Sequence, residues 1–343
     1  MRKLRVLLLL NQYSVPPENF KELTDKQKQD FKTEIDVIKG LRNLGHEVRP
    51  LGILSDLGVI RKAIEDWKPH INFNLMEEFH GVAIYDQNVV SYLELMKKTY
   101  TGCNPRGLMI ARDKALSKKI LSYHRIRVPN FGVFPVGKVG SLPKRLTYPV
   151  LVKSLVEEAS LGISQASIVQ SDEKLKERIK FIHEQFSTDA IVEEYIDGRE
   201  LYVGVIGNRR LKTFPIWEMV FQKMPDEIAK IATHRVKWNR NYQKKYGIDS
   251  YMAEKLPSEV EKKLPALCKR IYKILNLSGY ARIDLRLTKE GKVYVLEANP
   301  NPDLAKIEDF AASAKKAGLS YENLLKRIIN YGMQYHAAWK NYD

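Results

Sequence analysis

What is scarce in this chain narrows its possibilities first. Only two cysteines, Cys103 and Cys268, occur in 343 residues. So far apart, they supply neither a disulfide framework nor the paired spacing of a metal site, and a reducing, cytoplasmic location is expected. No apolar run approaches the roughly 18 residues that cross a bilayer, so no membrane partner is expected. The opening MRKLRVLLLLNQY has an apolar core at residues 6–10 only. That is shorter than the roughly 7–15 residues of a secretory signal, and no small-residue cleavage site follows; the segment reads as a buried first strand. Internal repeats, low-complexity tracts and an arginine-rich tail are all missing. The seven histidines form no cluster, and His80 and His234 read as structural.

What is present is an ordinary folded composition with an unusual charge. Hydrophobic residues make up 44% of the chain. The length calls for two or three packed domains. The formal charge of +16 admits nucleic acid, an anionic surface or phosphorylated ligands as partners. The bases are interleaved with acids, as in KLKERIK and EKKLPALCKR. Solvated helix faces with a few phosphate-binding lysines explain this better than a nucleic-acid groove.

Strand and helix signals alternate through the first hundred residues: strands at 4–10, 47–51, 70–76 and 99–101, helices at 28–44, 57–67 and 89–97. That is the pattern of an open, mainly parallel α/β layer. A helix over 105–124 follows, then a strand at LTYPVLVKSL, a small-residue loop at 156–162, a strand over 164–169 and a helix over 172–186. AIVEEYI and ELYVGVIG read as a strand pair turning at Asp197-Gly198-Arg199. Residues 222–256 are long, polar and weakly patterned, which suggests a functional loop or lid. A strong helix at 259–275, a hairpin and a final helix at 321–335 complete the chain.

The most informative segment is ARIDLRLTKEGKVYVLEANPNPDL, residues 281–304. A four-residue loop at 289–292 pairs Thr288 with Val293, sets Asp284 opposite Glu297 and Arg282 opposite Asn299. Period-two alternation puts these four on one face and Ile283, Leu285, Leu287, Tyr294, Leu296 and Ala298 on the other. Opposed carboxylates would repel without a cation between them. Oxygen ligands favour Mg²⁺, completed by water and phosphate oxygens. Arg282 could neutralise a developing oxyanion. The competing reading is a surface hairpin whose acids pair with Arg282 and Arg286.

RIDL followed by LEANPNP resembles the C-terminal signature of ATP-grasp ligases, D-alanine:D-alanine ligases in particular, and the resemblance runs over residues 111–329. It implies an α/β (α+β) ATP-grasp fold with an N-terminal open parallel α/β domain at 1–103, a small central domain at 104–187 and a C-terminal antiparallel-sheet domain at 188–343. It further implies that Asp284, Glu297 and Asn299 hold Mg²⁺ (two ions, with Mn²⁺ as a substitute) and that Arg282 stabilises the transferring phosphoryl group. Lys114 in ARDKALSKKIL and Lys153 in YPVLVKSL match the phosphate lysines. Ser160 and Gly162 match the phosphate loop, which Glu157, Glu158 and Ala159 make more acidic and less glycine-rich than usual. In EEYIDGRE, Glu193 would meet the adenine amino group, the backbone of Glu194 and Ile196 the base edge, and Glu200 the ribose. Lys237 in VKWN matches a lysine of the family's lid. A homodimer is an assembly the resemblance allows.

The departures lie at the substrate end. NQYSVPPEN lacks the family's histidine-glutamate-valine-serine motif, and NLMEEFHGVAIYDQN replaces its glycine-rich acidic segment, leaving Glu77 and Glu78 at the end of an apolar strand. Asp303 and Glu308 stand where a glycine and a serine would hold the second D-alanine carboxylate. Two acids there repel a carboxylate and attract a cation. The expected activity is therefore an ATP-dependent carboxylate–amine ligase acting through an acyl-phosphate on small molecules, with a cationic acceptor in place of D-alanine. A nucleotide-binding regulator without ligase activity and a D-alanine:D-alanine ligase itself are the alternatives.

Overall fold

The computed structural model describes residues 3–20, 22–157 and 160–341. Three sheets organise it. The first is parallel, with β1 (Arg5–Asn11) between β2 (Glu47–Ile53) and β3 (Ile71–Asn74). Leu7 and Leu9 of β1 join one apolar cluster, whereas Val6, Leu8 and Leu10 join another. A strand buried on both faces reads as a continuous apolar run, which is why residues 6–10 mimic a signal peptide. The second cluster also contains Ile38 and Leu41 of the helix Lys32–Asn43 and Leu325 and Ile328 of the helix Tyr321–Gln334. The last helix thus packs back onto the first sheet.

The second sheet is antiparallel in the order β4-β7-β5-β6, from Phe131–Phe134 (β4), Val150–Ser154 (β5), Ile168–Val169 (β6) and Ala190–Glu194 (β7). The helix Asp172–Phe186 covers it through Leu175, Ile179 and Ile182. The third sheet contains β8 (Arg199–Ile206), β9 (Lys212–Thr213), β10 (Trp217–Phe221), β11 (Ile248–Met252), β12 (Tyr280–Leu287) and β13 (Val293–Pro300). Its order is β11-β10-β8-β12-β13, with β9 paired to β8. Among the described residues, no helix is long and apolar enough to cross a membrane.

Several expectations need correction. β7 and β8 do not pair: β7 lies between β4 and β5, and β8 belongs to the third sheet. Gly198 (φ +146°) packs so closely on β12 that a Cβ there would sit 2.1 Å from the Leu287 carbonyl oxygen. The chain crosses between sheets where a hairpin turn was expected. The helix expected over 28–44 is two, Asp25–Asp30 and Lys32–Asn43, and that over 105–124 breaks at Asp113 into Pro105–Arg112 and Lys114–Tyr123. The Asp113 carboxylate accepts from the backbone N–H of Ala115 and Leu116 (2.9 and 2.8 Å), capping the second piece. Residues 165–167 form a 3-10 turn, leaving only Ile168–Val169 as strand. Residues 222–256 contain two short helices, His234–Trp238 and Arg240–Tyr246, before β11.

Candidate active site

The hairpin forms as its alternation dictates at the functional end. Arg282 stands opposite Asn299 and Asp284 opposite Glu297. Between Asp284 and Leu285 the register shifts, so that Leu285 faces Val295 and Leu287 faces Val293. One extra residue on β13, Leu296, forms a β-bulge. Val295 is therefore the buried residue, 1% exposed, while Tyr294 and Leu296 are only half-buried, contrary to the alternation expected.

β8 supplies the neighbouring row. Tyr202 opposes Asp284 and Glu200 opposes Arg286. One face of β8, β12 and β13 thus carries Glu200, Tyr202, Arg282, Asp284, Arg286, Glu297 and Asn299. Arg282 donates twice to the Asp284 carboxylate (2.7 and 2.8 Å), and the Asn299 amide donates to the same group at 2.9 Å. The Arg282 guanidinium lies 4.7 Å from the Tyr202 ring centroid and 3.9 Å from Asp309. The pairing of Asp284 with Arg282 realises part of the competing surface-hairpin reading, but Asp284 is buried and Arg282 half-buried rather than solvated.

The two opposed carboxylates titrate in opposite directions. Burial pushes Asp284 up to about 6 against the pull of Arg282, with Glu297 adding to the rise. Burial also pushes Glu297 up, but Lys153, Lys114, Lys237 and Lys118 outweigh it and hold the group near 2. The charges of four lysines therefore act on Glu297, including that of Lys237 on the helix His234–Trp238. Among the described residues, no group of three or more histidine, cysteine, aspartate or glutamate side chains is gathered for a metal. The expected set is instead two carboxylates and an amide, a hard-oxygen set that suits Mg²⁺ when phosphate oxygens complete the shell.

Around this face the expected nucleotide residues converge. Lys114 is buried and donates to the Glu157 carbonyl at 2.6 Å, tying its helix to the small-residue loop. Glu158 and Ala159 of that loop lie outside the described residues. Ser160 has φ +61° and Gly162 +70°; a Cβ on Gly162 would meet the Phe186 ring at 2.5 Å. Arg178 donates to the Gly162 carbonyl and to Ser167 Oγ (2.9 Å), fixing the loop from below. Glu193, 1% exposed, stands between Lys118 (3.4 Å) and Lys153 (3.3 Å). Its Oε1 is buried without a hydrogen-bond partner, as suits an acceptor for an exocyclic amine. Glu200 is bound by Arg286 (2.7 Å) and Tyr202 (2.9 Å). The Glu194 N–H is committed to the Asn130 carbonyl at 2.8 Å, so only its carbonyl side remains for a base edge. Ile196 is buried beside it.

A cavity of about 790 Å³ opens where the small-residue loop, the carboxyl ends of β1 and β3 and the residues after β13 meet. Its acidic lining is Asp30, Glu34, Glu77, Glu78, Glu157 and Asp303, set against Lys32 and Arg112. Glu78 accepts from Asn11 at 2.6 Å. Arg112 is consumed by Asp86 and the Glu77 carbonyl. Lys32 is consumed chiefly by Glu308 and stands 3.9 Å from Asp303, which Thr33 also binds at 2.6 Å. Glu308 lies outside the cavity lining as the N-cap of the helix Asp309–Lys316, so of the two expected acids only Asp303 faces it. Burial pushes Glu34 up to about 7, with Asp303 adding to the rise.

Sequence reasoning missed Tyr202, Lys118, Asp309 and Glu34, and offered Arg286 only as a partner for the hairpin's own acids, whereas it binds Glu200. Tyr202 and Arg286 were signalled by alternation with Glu200 and Asp284; the others become visible only through contacts with distant segments.

Known proteins resemble this chain in sequence and in fold. The family model described as D-ala D-ala ligase C-terminus matches residues 123–330. The chain is 28% identical over 304 residues to a D-alanine–D-alanine ligase of Desulforudis audaxviator, covering 87% of this chain and 92% of the relative. It is 29% identical over 306 residues to an uncharacterized protein, y4sG, of Sinorhizobium fredii, covering 86% and 85%. The crystal structure of a D-alanine–D-alanine ligase from Bacillus anthracis complexed with ATP superposes with TM-score 0.74 at 22% identity, over 96% of this chain and 98% of that one.

Proposed function

Because the chain belongs to the D-ala D-ala ligase C-terminus family, with the ATP-grasp fold of a ligase that forms carbon–nitrogen bonds, we propose that it joins a small carboxylate to a cationic amine acceptor at the expense of ATP. The observation that carries the acceptor is the acidic cavity. Six carboxylates line it, and both its cations are engaged by other acids or carbonyls. A low-dielectric wall with excess negative charge favours a cation and penalises a second carboxylate.

The chemistry asks little of side chains as nucleophiles. Lys114 and Lys153 bind the phosphates, Glu193 and Glu200 the adenosine, and the loop at Ser160 and Gly162 offers backbone N–H groups. Asp284, Glu297 and Asn299 would hold Mg²⁺, which supplies neutralisation of phosphate charge when bound. The donor carboxylate attacks the γ-phosphorus, ADP leaves, and an acyl-phosphate forms. The acceptor amine then attacks the acyl carbon, expelling phosphate and losing a proton. Arg282, fixed by Asp284 and stacked on Tyr202, faces the charge that develops in both steps. This is catalysis by positioning and electrostatics.

Residues 222–256 lie where a cover would be needed. The His234 N–H donates to the Ile163 carbonyl (3.1 Å), Lys32 sits over the Trp238 ring (5.5 Å), and Arg240 donates to Gln29. A segment so placed would exclude the water that hydrolyses an acyl-phosphate.

The test is ADP release with Mg²⁺ over D-alanine, other amino acids, peptides and polyamines, with products identified by mass. ADP and an amide product are expected only when a cationic amine is supplied. Robust dipeptide from D-alanine alone refutes the acceptor reading, and nucleotide binding without turnover on any substrate favours a regulator.

A further inference from the structure

We infer that Lys118 is a positioning residue whose single buried ammonium fixes both the adenine-facing carboxylate of Glu193 and the β-bulge that presents Glu297. This rests on the nucleotide role proposed for Glu193.

Lys118 lies one turn after Lys114 on the helix Lys114–Tyr123, so both point to the same side. Its neighbour Lys119 is exposed, whereas Lys118 is 1% exposed, among the most buried large side chains of the chain. A lysine is removed from water only where something offsets the loss. Two groups do so here. The Glu193 carboxylate stands 3.4 Å from its Nζ, and Nζ donates to the carbonyl oxygen of Leu296. Leu296 is the extra residue of β13, and a bulged residue falls out of the strand ladder. Lys118 thus holds the residue immediately before Glu297 in place.

The geometry at Glu193 is selective. Lys153 reaches Oε2 from β5 (3.3 Å), and Lys118 approaches Oε1 at ion-pair distance without a hydrogen bond. The carboxylate is kept ionised and aimed, yet Oε1 stays free to accept from a base amine. Burial pulls the Lys118 ammonium down to about 8, and the Glu193 charge opposes that pull. Each group keeps the other charged.

The experiment compares Lys118→Met, Glu193→Gln and the double variant, with kcat and KM measured for ATP and for inosine triphosphate, which carries a 6-oxo group in place of the amine. Methionine keeps the unbranched length, and thermal melts report folding. The expected result with Lys118→Met is at least a tenfold rise in KM for ATP with little change in KM for inosine triphosphate, a double variant whose KM for ATP is no worse than that of Glu193→Gln alone, and a fall in kcat with both nucleotides as the bulge before Glu297 loosens. An equal rise for both nucleotides, or an intact preference for ATP, assigns Lys118 to packing and overturns the inference. If Glu193→Gln itself leaves the preference intact, the adenine role of Glu193 falls, and the inference with it. Should Lys118→Met prove insoluble, Lys118→Gln is read by the same nucleotide pair.

Discussion

At the proposed nucleotide end, buried acids meet internal cations: Glu193 meets Lys118 and Lys153, Glu200 meets Arg286, and Asp284 meets Arg282. At the proposed acceptor end the balance is left open. Lys32 and Arg112 are spent on Glu308 and Asp86, while burial pushes Glu34 up to about 7 against only a partial pull from Lys32. Charges balanced in advance make a site that pays little reorganisation when ligand arrives. Charges left unbalanced cost stability and describe the ligand that would relieve them.

The largest effect expected is at the shared hairpin. Glu297→Gln should cut ATP turnover roughly a thousandfold or more in a steady-state ADP assay, because four lysines and a metal would lose their common anion. An unimpaired rate would remove the hairpin from the chemistry. Arg282→Met should cost roughly a hundredfold in kcat with a small change in KM for ATP, since its charge is needed as the transition state forms. A change in KM alone would make Arg282 a binding group.

At the acceptor end the effects are smaller. Glu34→Gln should raise KM for a cationic acceptor about tenfold and leave KM for ATP unchanged, a split that steady-state kinetics reads directly. The same variant should change the pH dependence of stability. Because burial raises the folded pKa of Glu34 from its ordinary 4.5 to about 7, its contribution is present in full below about pH 4.5 and is lost as pH rises through about 7. Denaturant melts should therefore show the wild type losing on the order of 1 kcal/mol relative to Glu34→Gln between about pH 5 and pH 8, after allowance for partial solvent exposure. Parallel profiles would mean that Glu34 is solvated. Lys32→Met, which frees Glu308 and leaves Asp303 to Thr33, should tighten a cationic acceptor only a few-fold while lowering stability by about 1 kcal/mol, as for a partly exposed ion pair.

The same division governs what could be read from the sequence. The facing of Asp284 and Glu297 follows from period-two alternation and a short loop, both local. The bulge at Leu296 was not legible, because the lysine that binds its carbonyl lies 178 residues away in sequence. The crossing from β7 to β8 was mistaken for a hairpin, since a Asp-Gly turn between apolar runs looks alike whether the strands pair or part. Glu34, in a polar first helical turn, reads as solvated until Asp303 arrives beside it in the folded chain. The lysines proposed to bind nucleotide could be named because motif spacing carries them; the proposed acceptor cavity is assembled from segments that share no motif.

The most direct measurement is kcat/KM for two acceptors of nearly equal size, D-alanine and D-2,3-diaminopropionate, with one carboxylate donor held saturating. The account predicts a preference of at least about tenfold for the second, or about 1.4 kcal/mol, carried by its extra ammonium beside Glu34 and Asp303. Equal values, or a preference for D-alanine, would contradict it.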